Sequence, residues 1–201
     1  YTQESLIEKL GDELEKQVAT IRSLTKSSDL EVAQQIIGET ADAFISNLEE
    51  SLARGNEVIT IDSRFSFALD NEFVEKLADY ITEYSFKITI QNSEDPLLAI
   101  FDQIEEAKRV SVEGFVLAPE AIQLPNYPNV RTYAANTVPF HNDGANAVQE
   151  LAIALAQAAE MQQQAPSFEE FASKFFVNFA VDTQFFVEIS KLRAFKVLWK
   201  A

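Results

Sequence analysis

The sequence predicts an α/β fold, a partial (β/α)8 barrel of the TIM type in which parallel strands alternate with helices. Short β-branched runs such as residues 57–62 are separated by amphipathic stretches of helical length, which is typical of βαβ units. The five glycines form neither G-x-G-x-x-G nor G-x-x-x-x-G-K, which disfavours a nucleotide-binding doubly wound sheet. About four or five strands are expected, too few for a complete eight-stranded barrel.

The elements follow from periodicity. Apolar residues recur at helical spacing over residues 3–27, and a second helix is expected over residues 30–54, with Gly55 at its C′ position. Strands are expected at 57–62, 86–91, 112–119 and 131–138, and helices at 71–84, 95–108 and 145–164; residues 167–201 indicate a helix, a short strand and a final amphipathic helix. We therefore expect an N-terminal helical segment (1–28) followed by the partial barrel (29–201).

Composition excludes several classes of function. The formal net charge of −16 would repel nucleic acids and anionic membranes, so neither is expected as a partner. Without cysteine there is no thiolate site, and one histidine excludes the usual multi-histidine metal sites, so no metal is expected. The apolar runs are too short to span a bilayer, and we expect a cytoplasmic protein. The chain begins at Tyr1 and its one methionine is Met161, so we expect a processed product or a cloned piece.

The single histidine, His141, is the first candidate for chemistry. It lies after the strand expected at 131–138 and before a helix expected to begin near Ala145, where ligands bind in parallel α/β folds. Asn142 or Asp143 would cap that helix, and Gly144 would allow a tight turn. The imidazole could donate a hydrogen bond to a substrate carbonyl or transfer a proton. The alternative is a surface histidine without a function.

Polar residues at two other strand ends are weaker candidates. Gln91 and Asn92 follow the strand at 86–91 and could bind a substrate carbonyl or amide, or cap the next helix. Asp62 and Arg64 follow the strand at 57–62 and are equally ambiguous. A hydrolase triad is excluded because the sequence has no G-x-S-x-G nucleophile elbow.

The C-terminal third carries a family resemblance. The tail FFVEISKLRAFKVLW (185–199) and the segment with H-x-x-G-A and Q-E-L-A (141–152) resemble the acyl-CoA-binding barrel of the methylmalonyl-CoA mutase family. Residues 30–61 are more loosely similar to that family's first barrel strand and helix. The specific likeness covers about the last 70 residues, and the loose likeness covers most of the chain from Leu30.

The resemblance implies an adenosylcobalamin-dependent isomerase that interconverts methylmalonyl-CoA and succinyl-CoA. In the family's catalytic chain, a histidine after a barrel strand hydrogen-bonds the substrate thioester carbonyl, and His141 falls on that position, with Phe140 in place of a tyrosine. Gln91, in TIQN (89–92), echoes a substrate-contacting stretch. The resemblance thus implies a catalytic His141, and Gln91 and Phe140 as substrate-binding residues.

Cofactor binding is expected elsewhere in the enzyme. Family members that coordinate cobalt use D-x-H-x-x-G, whereas Pro139 stands two residues before His141. The chain has no cobalamin-binding domain, so adenosylcobalamin is expected in the whole enzyme and not on this chain.

The short loop between His141 and Gly144 is more similar to the small, non-catalytic subunit of heterodimeric mutases. We therefore expect a small-subunit fragment, inactive alone, that supports a catalytic large subunit or associates with itself; acyl-CoA is a candidate ligand. One alternative is a competent acyl-CoA mutase barrel that uses His141. The other is an α/β interaction module unrelated to CoA.

Overall fold

Parallel strands joined in sequence order form the main sheet of the protein. The computed structural model describes residues 3–23 and 30–200. The strands of this sheet are β1 (Ala33–Gln35), β2 (Val58–Asp62), β3 (Ser85–Thr89), β4 (Gly114–Leu117) and β5 (Val130–Arg131). Each strand pairs in parallel with the next one along the chain. A doubly wound sheet reverses its strand order, whereas a barrel does not, so this order fits the predicted α/β fold with a partial barrel.

A second, two-stranded parallel sheet follows. It pairs β6 (Tyr133–Asn136) with β7 (Phe175–Asn178). Thr132 separates β5 from β6, and its N–H donates to the Lys174 carbonyl 3.1 Å away. The strand predicted at 131–138 is therefore present as two short pieces, and its last residue, Val138, belongs to a helix.

Helices connect the strands. In chain order they are α1 (Gln3–Leu10), α2 (Asp12–Ser23), α3 (Ala41–Ala53), α4 (Asn71–Glu83), α5 (Ile100–Gln103), α6 (Val138–Asn142), α7 (Ala147–Gln164), α8 (Phe168–Lys174) and α9 (Phe185–Lys200). Side-chain oxygens of Thr40, Asp70 and Ser167 cap α3, α4 and α8 by accepting from backbone N–H groups. Among the described residues, no helix is long and apolar enough to cross a membrane.

The described residues divide into two compact units. Unit 1 comprises residues 3–23, 30, 137–155 and 179–200, and unit 2 comprises 31–136 and 156–178. In unit 2, alternate strand residues such as Ile59, Ile61 and Ile88 are buried with apolar residues of α3 and α4, and form the core. In unit 1, α2 packs against α9. The division at residue 28 drawn from the sequence stays a prediction.

The helix predicted over residues 30–54 is wrong over residues 30–40. Residues 33–35 are strand β1, and α3 begins only after Thr40. The chain between them passes so close to α3 that a Cβ on Gly38 would lie 2.4 Å from the backbone nitrogen of Phe44. The loose family likeness implied a strand and a helix here, and that likeness stays a prediction. Gly55 has the expected left-handed conformation after α3, with φ +96°.

Two other predicted helices are shorter or broken. Gly11, with φ +48°, separates α1 from α2 in the stretch 3–27, and residues 24–27 lie outside the described residues. The stretch 95–108 contains a 3-10 turn at Pro96–Ala99, the single-turn helix α5 and the start of another 3-10 stretch. The strands β2, β3 and β4 and the helices α4, α7, α8 and α9 confirm the remaining predictions within a few residues.

Candidate functional site

His141 lies on the short helix α6 of unit 1, which the sequence did not predict. Asn142 ends this helix and Asp143 follows it, so neither caps α7 as expected. The cap is Asn146, whose Oδ1 accepts from the N–H groups of Val148 (3.0 Å) and Gln149 (3.1 Å). Gly144 makes the expected tight turn between the helices, with φ +96°.

The imidazole of His141 contacts a buried carboxylate. Its Nδ1 lies 3.0 Å from Oε1 of Glu150, and Glu150 is only 1% exposed. The hydroxyl of Thr137, also buried, donates to the other carboxylate oxygen, Oε2, at 2.9 Å. The His141 side chain itself is 26% exposed. The histidine is therefore held in place from the protein interior and retains an accessible side.

The same carboxylate binds a lysine from α9. Nζ of Lys191 lies 3.1 Å from Oε1 of Glu150 and donates to the carbonyl of Ala180 at 2.8 Å. It also lies 2.6 Å from Oε2 of Glu188, an ion-pair distance, although Oε2 has no hydrogen bond of good geometry. The ring of Phe179 packs beneath the ammonium, 5.6 Å from ring centre to nitrogen. We call His141, Glu150, Glu188, Lys191 and Thr137 the Glu150 cluster; all five residues belong to unit 1.

The contacts in the Glu150 cluster decide which groups are charged. Burial raises the pKa of Glu150, but hydrogen bonds from His141, Lys191 and Thr137 outweigh it and hold that pKa below its ordinary value. Burial also lowers the pKa of Lys191, but its close contacts with the carboxylates of Glu188 and Glu150 outweigh it and raise the pKa overall. Both groups are therefore ionised at neutral pH, as a buried ion pair requires.

The cluster gives His141 a defined orientation. A carboxylate on one ring nitrogen fixes the ring and its tautomer, and leaves the other nitrogen, Nε2, for a ligand. In the described part of the chain, no residue hydrogen-bonds Nε2. The arrangement can therefore present one oriented hydrogen-bonding nitrogen, or it can serve only to join α6, α7 and α9.

Gln91, by contrast, belongs to unit 2, and its side chain is exposed. Its backbone N–H donates to Oδ2 of Asp95 at 3.0 Å, and the hydroxyl of Ser63 donates to the same oxygen at 2.6 Å. Asp95 also caps the following 3-10 turn, so it, and not Asn92, begins the next element. Asn92 accepts instead from the N–H of Glu94.

Phe140 precedes His141 in unit 1 and is 42% exposed. Asp62 and Arg64 pair with each other through Nε at 2.8 Å and through Nη2. This pairing lowers the pKa of Asp62 through the Arg64 hydrogen bond. Catalytic or substrate-binding roles for His141, Gln91 and Phe140 stay predictions.

Cobalt ligation by His141 has to be judged against the Glu150 cluster. Pro139 leaves the position two residues before it without a carboxylate, but Glu150 supplies one to Nδ1 instead. Lys191 already neutralises the Glu150 carboxylate, so this carboxylate is part of a complete ion pair. The arrangement differs in this respect from the D-x-H-x-x-G motif of family members that coordinate cobalt. No group of three or more metal-ligating side chains occurs within residues 3–23 and 30–200. The absence of cobalamin from this chain stays a prediction.

Sequence reasoning identified His141 but missed Glu150, Glu188, Lys191 and Thr137. Three of these residues lie within the two stretches that resemble the family, which is the signal that could have identified them. Glu150 is the glutamate of Q-E-L-A, and Glu188 and Lys191 belong to the tail FFVEISKLRAFKVLW. The structure joins the two stretches through the Lys191–Glu150 contact.

The comparisons with known proteins concern this same region. A family model described as methylmalonyl-CoA mutase matches residues 120–201, which contain the whole Glu150 cluster. No curated protein matches the chain. The family match confirms the resemblance over this stretch and does not distinguish between subunits. Residues 120–201 are therefore similar to the methylmalonyl-CoA mutase family.

Proposed function

We propose that this chain is part of an adenosylcobalamin-dependent methylmalonyl-CoA mutase and acts as a small subunit. It supports a catalytic large subunit in a heterodimer, and the assembled enzyme interconverts methylmalonyl-CoA and succinyl-CoA. The family match over residues 120–201 supports the mutase assignment, and the sequential parallel sheet agrees with a barrel. The cofactor belongs to the assembled enzyme.

The environment of His141 is the observation on which we base the proposed non-catalytic, supporting role of this chain. Its Nδ1 binds Glu150, which is in turn bound by Lys191 and Thr137. All these contacts are satisfied within unit 1, and together they join α6, α7 and α9. The Glu150 carboxylate thus has three donors from within unit 1 and needs no substrate to supply them. The histidine therefore has a structural reason to be present, whether or not it contacts a substrate.

The open outer edge of the main sheet, at β1, favours binding of a protein partner. The N–H groups of Val58 and Ile36 bond across β1 and β2, so alternate residues Ala33 and Gln35 direct their backbone groups away from β2. Within the described residues nothing pairs with this outer edge, and all three β1 residues are exposed. Open edges are sites of strand addition, and a second chain would cover this one.

The test is to purify the chain alone and together with a mutase large subunit from the same genome, and to assay isomerisation with adenosylcobalamin. We expect no turnover from the chain alone, co-purification with the large subunit, and turnover by the complex. Turnover by the chain alone would refute the supporting role. Failure to co-purify would favour an interaction module unrelated to CoA.

A second candidate function is favoured by one observation. Nε2 of His141 is left for a ligand while the Glu150 carboxylate accepts from Nδ1, and in the imidazolium form Nε2 also carries a proton that it can donate to a substrate carbonyl. In that case His141→Gln, whose amide can still reach Glu150, would lower turnover of the complex by about 100-fold or more. If the role is support, the same variant leaves turnover unchanged.

A further inference from the structure

Two cations lie on one face of the main sheet in unit 2. Lys87 of β3 is in register with Phe115 of β4, and Phe115 is in register with Arg131 of β5. Residues in register point to the same face, so the two cations flank Phe115, with Cα atoms roughly 10 Å apart. The guanidinium of Arg131 also packs over the Phe115 ring, 5.9 Å from its centre.

Neither cation has a carboxylate partner among the described residues, although the chain has 32 acidic and 16 basic residues. Two carboxylates lie two positions away along the same face: Asp62, beyond the Lys87 register, is held by Arg64, and Glu113, before Phe115, is exposed and makes no ion pair with either cation. Exposed lysines of unit 2 such as Lys76 do have carboxylate partners. Lys87 and Arg131 therefore place two positive charges, without a carboxylate partner in the described part of the chain, beside one aromatic ring.

Both cations have unused hydrogen-bonding capacity. Lys87 donates to Oδ1 of Asn178 at 2.7 Å, which uses one of its three donors. Arg131 donates through Nη1 to the carbonyl of Phe175 at 3.2 Å, which uses one of its five. Both side chains are half-buried, and burial lowers the pKa of Lys87. Lost hydration without a counter-ion is costly, and a bound anion would offset that cost.

Aromatic rings lie beside the cations. Phe176 of β7 packs edge-on against Phe115, with ring centres 5.1 Å apart. An inorganic anion would use only the charged donors, whereas an organic anion would also cover these two rings.

We infer that this face, formed by Lys87, Arg131, Phe115 and Phe176, binds a small organic carboxylate. The carboxylate contacts the two cations and its apolar part packs on the two rings. This site does not depend on the proposed mutase function, because its four residues make the same contacts whatever the chain assembles with.

The test is calorimetric titration of the whole chain at constant ionic strength with hexanoate, 1-hexanol and inorganic phosphate. We expect saturable millimolar binding of hexanoate and much weaker binding of the other two. Lys87→Met and Arg131→Met should each weaken hexanoate binding about tenfold or more, because charge-assisted hydrogen bonds are lost. Lys76→Met, at a paired surface lysine, should leave it unchanged.

Absence of saturable hexanoate binding overturns the inference, and so does binding that survives both substitutions. Hexanol or phosphate binding as tightly as hexanoate overturns the assignment to an organic carboxylate. If the variants fail to fold, the unmodified chain can still be tested by chemical modification. Hexanoate should slow the acetylation of Lys87 by acetic anhydride and leave the acetylation of Lys76 unaffected. Equal rates with and without hexanoate at Lys87 would contradict the site.

Discussion

Nζ of Lys191 lies 3.1 Å from Oε1 of Glu150, and both residues are almost fully buried. This pair joins α9 to α7 across 41 residues of sequence, and it holds the carboxylate that orients His141. Lys191 is also paired with Glu188, so removing the lysine would leave two buried carboxylates without their counter-ion, which is more costly than the pair itself is stabilising. The Glu150 cluster therefore provides sensitive tests of unit 1.

Glu150→Gln should destabilise unit 1 strongly. The substitution keeps the shape of the side chain and removes its charge, so Lys191 retains only Glu188 as a counter-ion. We expect a loss of about 1.5–3 kcal/mol in the free energy of unfolding, because the charge-assisted hydrogen bonds to the carboxylate are lost. Urea titration monitored by the fluorescence of Trp199, the only tryptophan and a residue of α9, reports on this unit.

Glu8→Gln is the matched control, because Glu8 is an exposed glutamate of unit 1, on α1. It should change the free energy of unfolding by less than about 0.5 kcal/mol. A Glu150→Gln protein as stable as the control would show that the buried pair contributes nothing to unit 1.

The stability that Glu150 contributes should disappear in acid. Burial raises its pKa, but the hydrogen bonds from His141, Lys191 and Thr137 lower it by more, so the folded value lies below the ordinary 4.5. The contribution is therefore present above pH 4.5 and is lost as the pH falls through the folded pKa. The difference in unfolding free energy between the natural chain and Glu150→Gln should shrink over that range. A difference independent of pH between 7 and 3 would contradict this assignment of charge.

The open edge of β1 gives a test of association. A proline at Gln35 removes an N–H that points away from β2, so it should block strand addition while the β1–β2 ladder remains. We expect Gln35→Pro to weaken binding to the large subunit about tenfold or more, measured by sedimentation or biolayer interferometry. Gln35→Ala keeps the N–H and should bind normally. Equal binding by the two variants would place the partner elsewhere.

Sequence patterns predict the strands of unit 2 well, because local alternation determines which residues are buried. Ile59, Ile61 and Ile88 lie in β-branched runs, and the structure buries all three. The helix α4 was equally clear, since Phe73, Leu77 and Ile81 follow helical spacing and are buried.

The Glu150 cluster could not be predicted in this way. A glutamate in an alanine-rich helix and a lysine in a basic tail both indicate solvent-exposed faces, and charged residues are rarely buried without a partner. Only tertiary packing brings Lys191 to Glu150, so neither position shows its burial in the local sequence. The motif stretches indicated that these segments matter, without indicating which side chains meet.

The effect of a Gly38→Ala substitution on stability distinguishes the helix expected from the sequence from the strand and turn found in the structure. In a helix over residues 30–54, Gly38→Ala would stabilise the chain by about 0.5–1 kcal/mol, because alanine is the better helix former. In the structure, the added Cβ would lie 2.4 Å from the nitrogen and 2.6 Å from the Cα of Phe44, both backbone atoms that cannot move aside cheaply. We therefore expect a destabilisation of about 1–3 kcal/mol, the usual cost of overpacking. Ser46→Ala, on the exposed side of α3, is helical in both cases and should stabilise slightly. Urea unfolding of the two variants, followed by circular dichroism, gives opposite signs if β1 and its turn are correct, and the same sign if the helix begins at Leu30.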